Sequence, residues 1–223
     1  MKKVITLALA IILVTINTKD ISGDKIVTSA KEYTYSNTIE VEKPTEIEHE
    51  TIEDTNITID DKIYGYIFIG DSRFVGMNTY YNIEDIPNNY VIAEVGEGYD
   101  YLINRALPKA DNIMQSNTEV DDWKLIICLG INDLGNIENY ISTYSKLAKQ
   151  YNIIIISVNP IEYHNSITNI TVEMFNYNLK SIDGITYIDT YTELMTNGFS
   201  TVDGIHYTKE TYGDILNTIN KYK

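Results

Sequence analysis

The sequence predicts an α/β fold in which helices cover both faces of a parallel sheet. Three observations predict it. Five short apolar runs recur from Ile63 onward, and they are continuous rather than alternating, as in strands buried on both sides. Stretches with helical spacing lie between them, so strand and helix alternate along the chain. Each run ends in glycine or polar residues, which gathers polar chemistry along one edge of the sheet, where ligands of open α/β sheets bind.

The elements follow in order. The first run, Ile63–Ile69, stops at Gly70-Asp71-Ser72, and an amphipathic stretch begins there. The second, Tyr90–Val95, ends in Gly96-Glu97-Gly98. The third, Lys124–Leu129, carries the chain's one cysteine, Cys128, which reads as a small buried hydrophobe. It ends in Gly130-Ile131-Asn132-Asp133, and Trp123 stands at its entrance. A helix follows, with Ile137, Tyr140, Ile141, Tyr144 and Leu147 on one face. The fourth run, Ile153–Val158, exits through Asn159 and Pro160 towards His164; the next helix carries Met174, Phe175, Leu179 and Ile182 on its stripe. The fifth, Ile185–Ile188, leads through a short helical piece to Asp203-Gly204-Ile205-His206. A last helix then aligns Tyr212, Ile215, Leu216 and Ile219. No internal repeat is present.

Two segments of other character precede this region. Residues 1–22 open with Lys2 and Lys3, followed by an apolar stretch from Val4 to Ile16 that is short for a bilayer span. They read as a signal peptide or, since a small-x-small cleavage site is missing, as an N-terminal anchor. No cysteine follows that could carry a lipid. Residues 23–62 are rich in Glu, Thr and Asp without an apolar period, the pattern of an acidic, disordered tether, and His49 within them is expected to be inert. Residues 63–223 are expected to form the folded domain. The formal charge of −15 repels polyphosphate and argues against a nucleic-acid partner. Contact with a membrane is expected only through an uncleaved leader.

The strand ends supply the chemistry. Ser72 sits at a strand-to-helix corner, where its hydroxyl would be exposed and the first helical N–H groups favour negative charge. A serine hydroxyl needs a base, and His206 is a candidate, with Asp203 three residues earlier able to orient it. A tetrahedral intermediate needs preorganised donors; Ser72 N–H, Gly96 N–H and the Asn132 amide are candidates. Singly, each motif has an ordinary reading as a cap or turn. Their joint order at successive strand ends carries the functional one.

In that order the sequence resembles the SGNH hydrolases, the GDSL esterase and lipase family. The resemblance runs from Ile63 to the carboxyl terminus through Gly70–Ser72, Gly96, Gly130–Asp133 and Asp203–His206. It implies a flavodoxin-like three-layer α/β/α sandwich with five parallel strands. It implies Ser72 as nucleophile, His206 as base and acid, and Asp203 as its orienting carboxylate. Ser72 N–H, Gly96 N–H (with Gly98 as alternative) and Asn132 would form the oxyanion hole, with no metal and no organic cofactor. Arg73 and Asn159 are expected to touch substrate, His164 to line the pocket and Asp133 to brace its loop. The function expected is an extracytoplasmic, secreted or cell-surface serine esterase acting on an O-acyl group, such as acetyl, carried by a polysaccharide. A transacylase using a sugar hydroxyl, or a non-catalytic binding module on the same fold, is the alternative.

Overall fold

The structure is a computed structural model and describes residues 62–223. The expectations for the leader and, Lys62 apart, for the acidic segment lie outside the described residues. Five strands form one parallel sheet in the order β2-β1-β3-β4-β5: β1 (Tyr64–Gly70), β2 (Asn89–Ala93), β3 (Asp122–Cys128), β4 (Asn152–Ile156) and β5 (Thr186–Ile188). The helices are α1 (Ser72–Tyr81), α2 (Tyr99–Tyr101), α3 (Leu107–Ser116), α4 (Ile137–Leu147), α5 (Asn169–Lys180), α6 (Thr190–Asn197) and α7 (Lys209–Asn220). This is the flavodoxin-like strand order, with its switch point between β1 and β3, two strands that both carry site motifs at their ends.

Side chains alternate across the strands, and this sorts the core into two layers. Ile67, Ile69, Leu125, Ile127, Ile153 and Ile155 meet Tyr101, Leu102 and Ala110, then Tyr140 and Tyr144 of α4 and Val172, Phe175 and Leu179 of α5. Phe68, Ile126, Cys128, Ile154, Ile156 and Ile188 meet Phe74 and Met77 of α1, Leu194 of α6, and Tyr212, Ile215 and Ile219 of α7. Every central strand is apolar on both faces, which is why its sequence shows no period. Tyrosines do much of the filling: Tyr140, Tyr144, Tyr207 and Tyr212 are among the largest fully buried side chains. Tyr140 lies edge-on to both Tyr99 and Phe175, at 5.3 and 5.5 Å between ring centres. Among the described residues, no helix is long and apolar enough to cross a membrane.

Two details depart from the sequence reading, and a third stands outside it. The second strand ends at Ala93, two residues early, because Glu94 and Val95 leave the sheet into an exposed loop. Met174 is exposed; the inward face of α5 is Val172, Phe175, Asn176 and Leu179. Residues 99–116 run as one helical rod whose middle turn, Leu102–Ala106, is π-helical. That wide turn lies just ahead of Pro108, which lacks an N–H and crowds the carbonyl four residues back.

Phe175 ties this scaffold to the site loops. Its ring fills the space a side chain at Gly130 would take, with a built Cβ there coming within 2.5 Å of the ring. Phe175→Ala is expected to cost about 3–5 kcal/mol of folding free energy, seen as a lowered urea midpoint at unchanged m-value.

Candidate active site

The corner after β1 is built by Asp71. It is buried and caps α1: its Oδ1 accepts the Arg73 N–H at 2.9 Å, and its carbonyl accepts those of Phe74 and Val75 at 3.0 and 3.1 Å. The Ser72 N–H alone in this turn has no acceptor among the described residues, and it stands beside the Ser72 hydroxyl at the positive end of α1. Burial pushes the Asp71 carboxyl above its ordinary pKa, against the opposing pull of Arg73.

The last site loop brings a base to that hydroxyl. His206 Nε2 lies 2.8 Å from Ser72 Oγ, and His206 Nδ1 lies 2.6 Å from Asp203 Oδ2. The other Asp203 oxygen accepts the backbone N–H groups of His206 and Ile205, at 2.8 and 3.0 Å. These bonds, the His206 backbone N–H first and its imidazole next, hold the Asp203 carboxyl down at about 2. Asp203 is therefore an anion throughout the physiological range, although half its side chain is exposed. With Asp203 accepting at Nδ1, that nitrogen carries the proton and Nε2 is free to accept from Ser72. The loop is pinned at Gly204, whose φ is +95° and whose missing side chain leaves room for the Tyr163 carbonyl. The Gly204 carbonyl in turn accepts the N–H groups of Glu162 and Tyr163.

The loops after β2 and β3 adjoin. Asn132 Nδ2 donates to the Glu97 carbonyl at 2.8 Å, which uses one of its two amide hydrogens and ties the Asn132 loop to Gly96–Gly98. Gly96, at φ +79°, is exposed, and its N–H has no acceptor among the described residues. Gly98 instead packs against the Asp133 carboxylate. Asp133 braces the loops, accepting from Tyr99 N–H, Asn136 Nδ2 and the Tyr140 hydroxyl at 2.8–3.0 Å. Arg105, on the π-helical turn, pairs with both Glu94 and Glu97 and so clamps the same loop from outside.

Two expected substrate contacts are corrected. Arg73 is 3% exposed: its guanidinium lies over the Tyr207 ring at 5.1 Å and donates from Nη1 to the Asn159 carbonyl at 2.9 Å. Asn159 is equally buried, and its Oδ1 accepts the Thr190 hydroxyl at 2.5 Å. Both side chains are buried inside the protein. Together with Tyr207 they form an internal strut that joins the residue after Ser72 to the residue after His206. A charged residue following a turn serine reads as surface in a sequence, and nothing local signals this tertiary burial. Beneath the strut, Cys128 donates weakly to the Ser157 carbonyl, and burial pushes its thiol up to about 12.

Beside Asn132 opens a cleft of about 480 Å³ between the loops after β3 and β4, lined among others by Ile131, Leu134, His164, Ile167 and Ile205. No cluster of His, Cys, Asp or Glu suited to a metal is present among the described residues.

No family profile and no curated protein matches this sequence. Solved structures do. A member of the lipolytic G-D-S-L family from Veillonella parvula is 18% identical over 71% of this chain and 97% of its own, with a TM-score of 0.53. A candidate SGNH hydrolase from Slackia heliotrinireducens is 11% identical over 72% and 98%, with a TM-score of 0.55. The C-terminal catalytic domain of peptidoglycan O-acetyltransferase A from Streptococcus pneumoniae is 19% identical over 72% and 92%, at a TM-score of 0.49. The first two likenesses show the fold.

Gly204→Ala is expected to destabilise the protein by more than about 1 kcal/mol, because alanine is strained at that φ and its methyl meets the Tyr163 carbonyl. A crystal structure of the variant should show His206 withdrawn from Ser72.

Proposed function

We propose that this chain, which has the fold of the SGNH hydrolases, is an extracytoplasmic serine esterase that removes an O-acyl group, such as acetyl, from a carbohydrate. The observation that carries the reading is the continuous hydrogen-bond chain from Ser72 Oγ through His206 to Asp203. A binding module has no use for a hydroxyl, an imidazole and a carboxylate aligned in this way. The leader-like residues 1–22 support export, and a polymer outside the cell fits a domain on an acidic tether.

His206 Nε2 takes the Ser72 proton as Oγ attacks the ester carbonyl. The negative charge that develops on the carbonyl oxygen receives hydrogen bonds from Ser72 N–H, Gly96 N–H and the remaining Asn132 amide hydrogen. Asp203 holds the imidazole in register and stabilises its cationic form. His206 then returns the proton to the departing alkoxide, leaving Ser72 acylated. Water, deprotonated by His206, attacks the acyl carbonyl and releases the acid. A sugar hydroxyl in place of water would turn the same intermediate to transfer, and the release of free acid without added acceptor distinguishes the two.

The test is covalent labelling with a fluorophosphonate and hydrolysis of 4-nitrophenyl acetate. Wild-type protein should be labelled at Ser72, and Ser72→Ala should lose labelling and turnover, by at least about 10³-fold, while keeping its urea midpoint. Label on another residue, or an unlabelled wild type, defeats the proposal.

Activity should fall on acidification, because a protonated imidazole cannot accept the serine proton. With Asp203 held at about 2 it stays ionised across that limb, so the loss should follow a single protonation. The stabilising contribution of Asp203 should persist to far lower pH and vanish only as pH falls towards 2. A two-proton acid limb in kcat/KM would contradict these assignments.

A further inference from the structure

The cleft beside Asn132 has a feature the mechanism leaves unused. His164 Nδ1 accepts the backbone N–H groups of Ser166 and Ile167, both at 3.2 Å, and contacts the Ser166 hydroxyl at 3.3 Å. A nitrogen that accepts two amide hydrogens cannot carry its own, so the neutral ring bears its proton on Nε2. That N–H has no acceptor among the described residues, and His164 lines the cleft. The structure thus presents a fixed donor in a cleft bounded on one side by Asn132 and on another by Ile205, the residue before His206.

Size and lining limit what enters. About 480 Å³ falls within the ~300–1,000 Å³ usual for small-ligand sites and far exceeds an acetyl group. No lysine or arginine lines it, and Asp133, its one carboxylate, is engaged by Tyr99, Asn136 and Tyr140. Ile131, Leu134, Ile167 and Ile205 give it apolar walls. A phosphate-bearing headgroup would find no cation there. A neutral ring with apolar faces and oxygen acceptors would find both walls and a donor.

We propose that this cleft receives the alcohol half of the ester as a neutral sugar, and that His164 is a specificity residue whose Nε2–H donates to a sugar oxygen. The proposal rests on the esterase reading and adds to it the cleft and the residue that recognise the sugar. A net hydrogen bond of this kind corresponds to about a five- to tenfold effect.

The experiment compares glucose pentaacetate with vinyl acetate, whose alcohol half has no ring and no further oxygen, and with glycerol triacetate, an ester without a ring. His164→Asn is the informative variant: its Oδ1 can accept the same loop N–H groups two and three residues on, as asparagine does in turns, while the outer donor is gone. For His164→Asn, KM for glucose pentaacetate should rise about five- to tenfold at near-constant kcat. The kcat/KM ratio of glucose pentaacetate to vinyl acetate should fall by the same factor. His164→Gln, which can place an amide N–H near the Nε2 position, should recover part of it. Wild-type protein should prefer glucose pentaacetate to glycerol triacetate. An unchanged ratio in His164→Asn, an equal loss on both esters, or a wild-type preference for glycerol triacetate overturns the proposal. A wild type inactive on vinyl acetate and unlabelled by fluorophosphonate instead overturns the esterase reading beneath it.

Discussion

The site depends on one contact, the 2.8 Å hydrogen bond between Ser72 and His206, two residues 134 positions apart in the chain. Holding two such distant groups at hydrogen-bond distance requires that both backbones be fixed independently. The β1–α1 corner is fixed by Asp71, which takes up three of the first-turn N–H groups itself. The His206 loop is fixed by the Thr201–Tyr207 bridge and by the Gly204 carbonyl, which accepts the N–H groups of Glu162 and Tyr163. Arg73 then links the two anchors through the Tyr207 ring and the Asn159 carbonyl. Burying a guanidinium is costly, and here two of its nitrogens, Nε and Nη2, find no partner among the described residues. A cost carried at that position fits a strut whose use is alignment rather than stability.

Much of this was legible in the residue order. Continuous apolar runs survive as a signal because the central strands really are buried on both faces; Ile153 to Ile156 belong alternately to the two core layers. The four strand-end motifs were legible because turn chemistry and reaction chemistry call for the same small or polar residues at the same corner. Asp133 was read as a brace, and its three accepted bonds agree with that.

What the sequence hid were matters decided by tertiary packing. Arg73 and Asn159 look like solvent-facing polar residues, and only the Tyr207 ring and Thr190 hydroxyl, far along the chain, make a buried place for them. Met174 fits the apolar spacing of α5 as well as Val172 does, but the helix rotates to bury Asn176, whose amide bonds both the N–H and the carbonyl of Val158 at 2.8 Å. The fixed tautomer of His164 depends on two backbone N–H groups, which no side-chain pattern announces.

Cys128 carries a practical consequence. It is the chain's one thiol, and it lies buried in the floor of the sheet, where burial pushes its pKa up to about 12. Thiol-directed reagents need an accessible thiolate, so the native protein should present them with nothing to modify. A cysteine introduced at an exposed position would then be the single attachment point for a dye or spin probe, with no background mutation needed to clear the way.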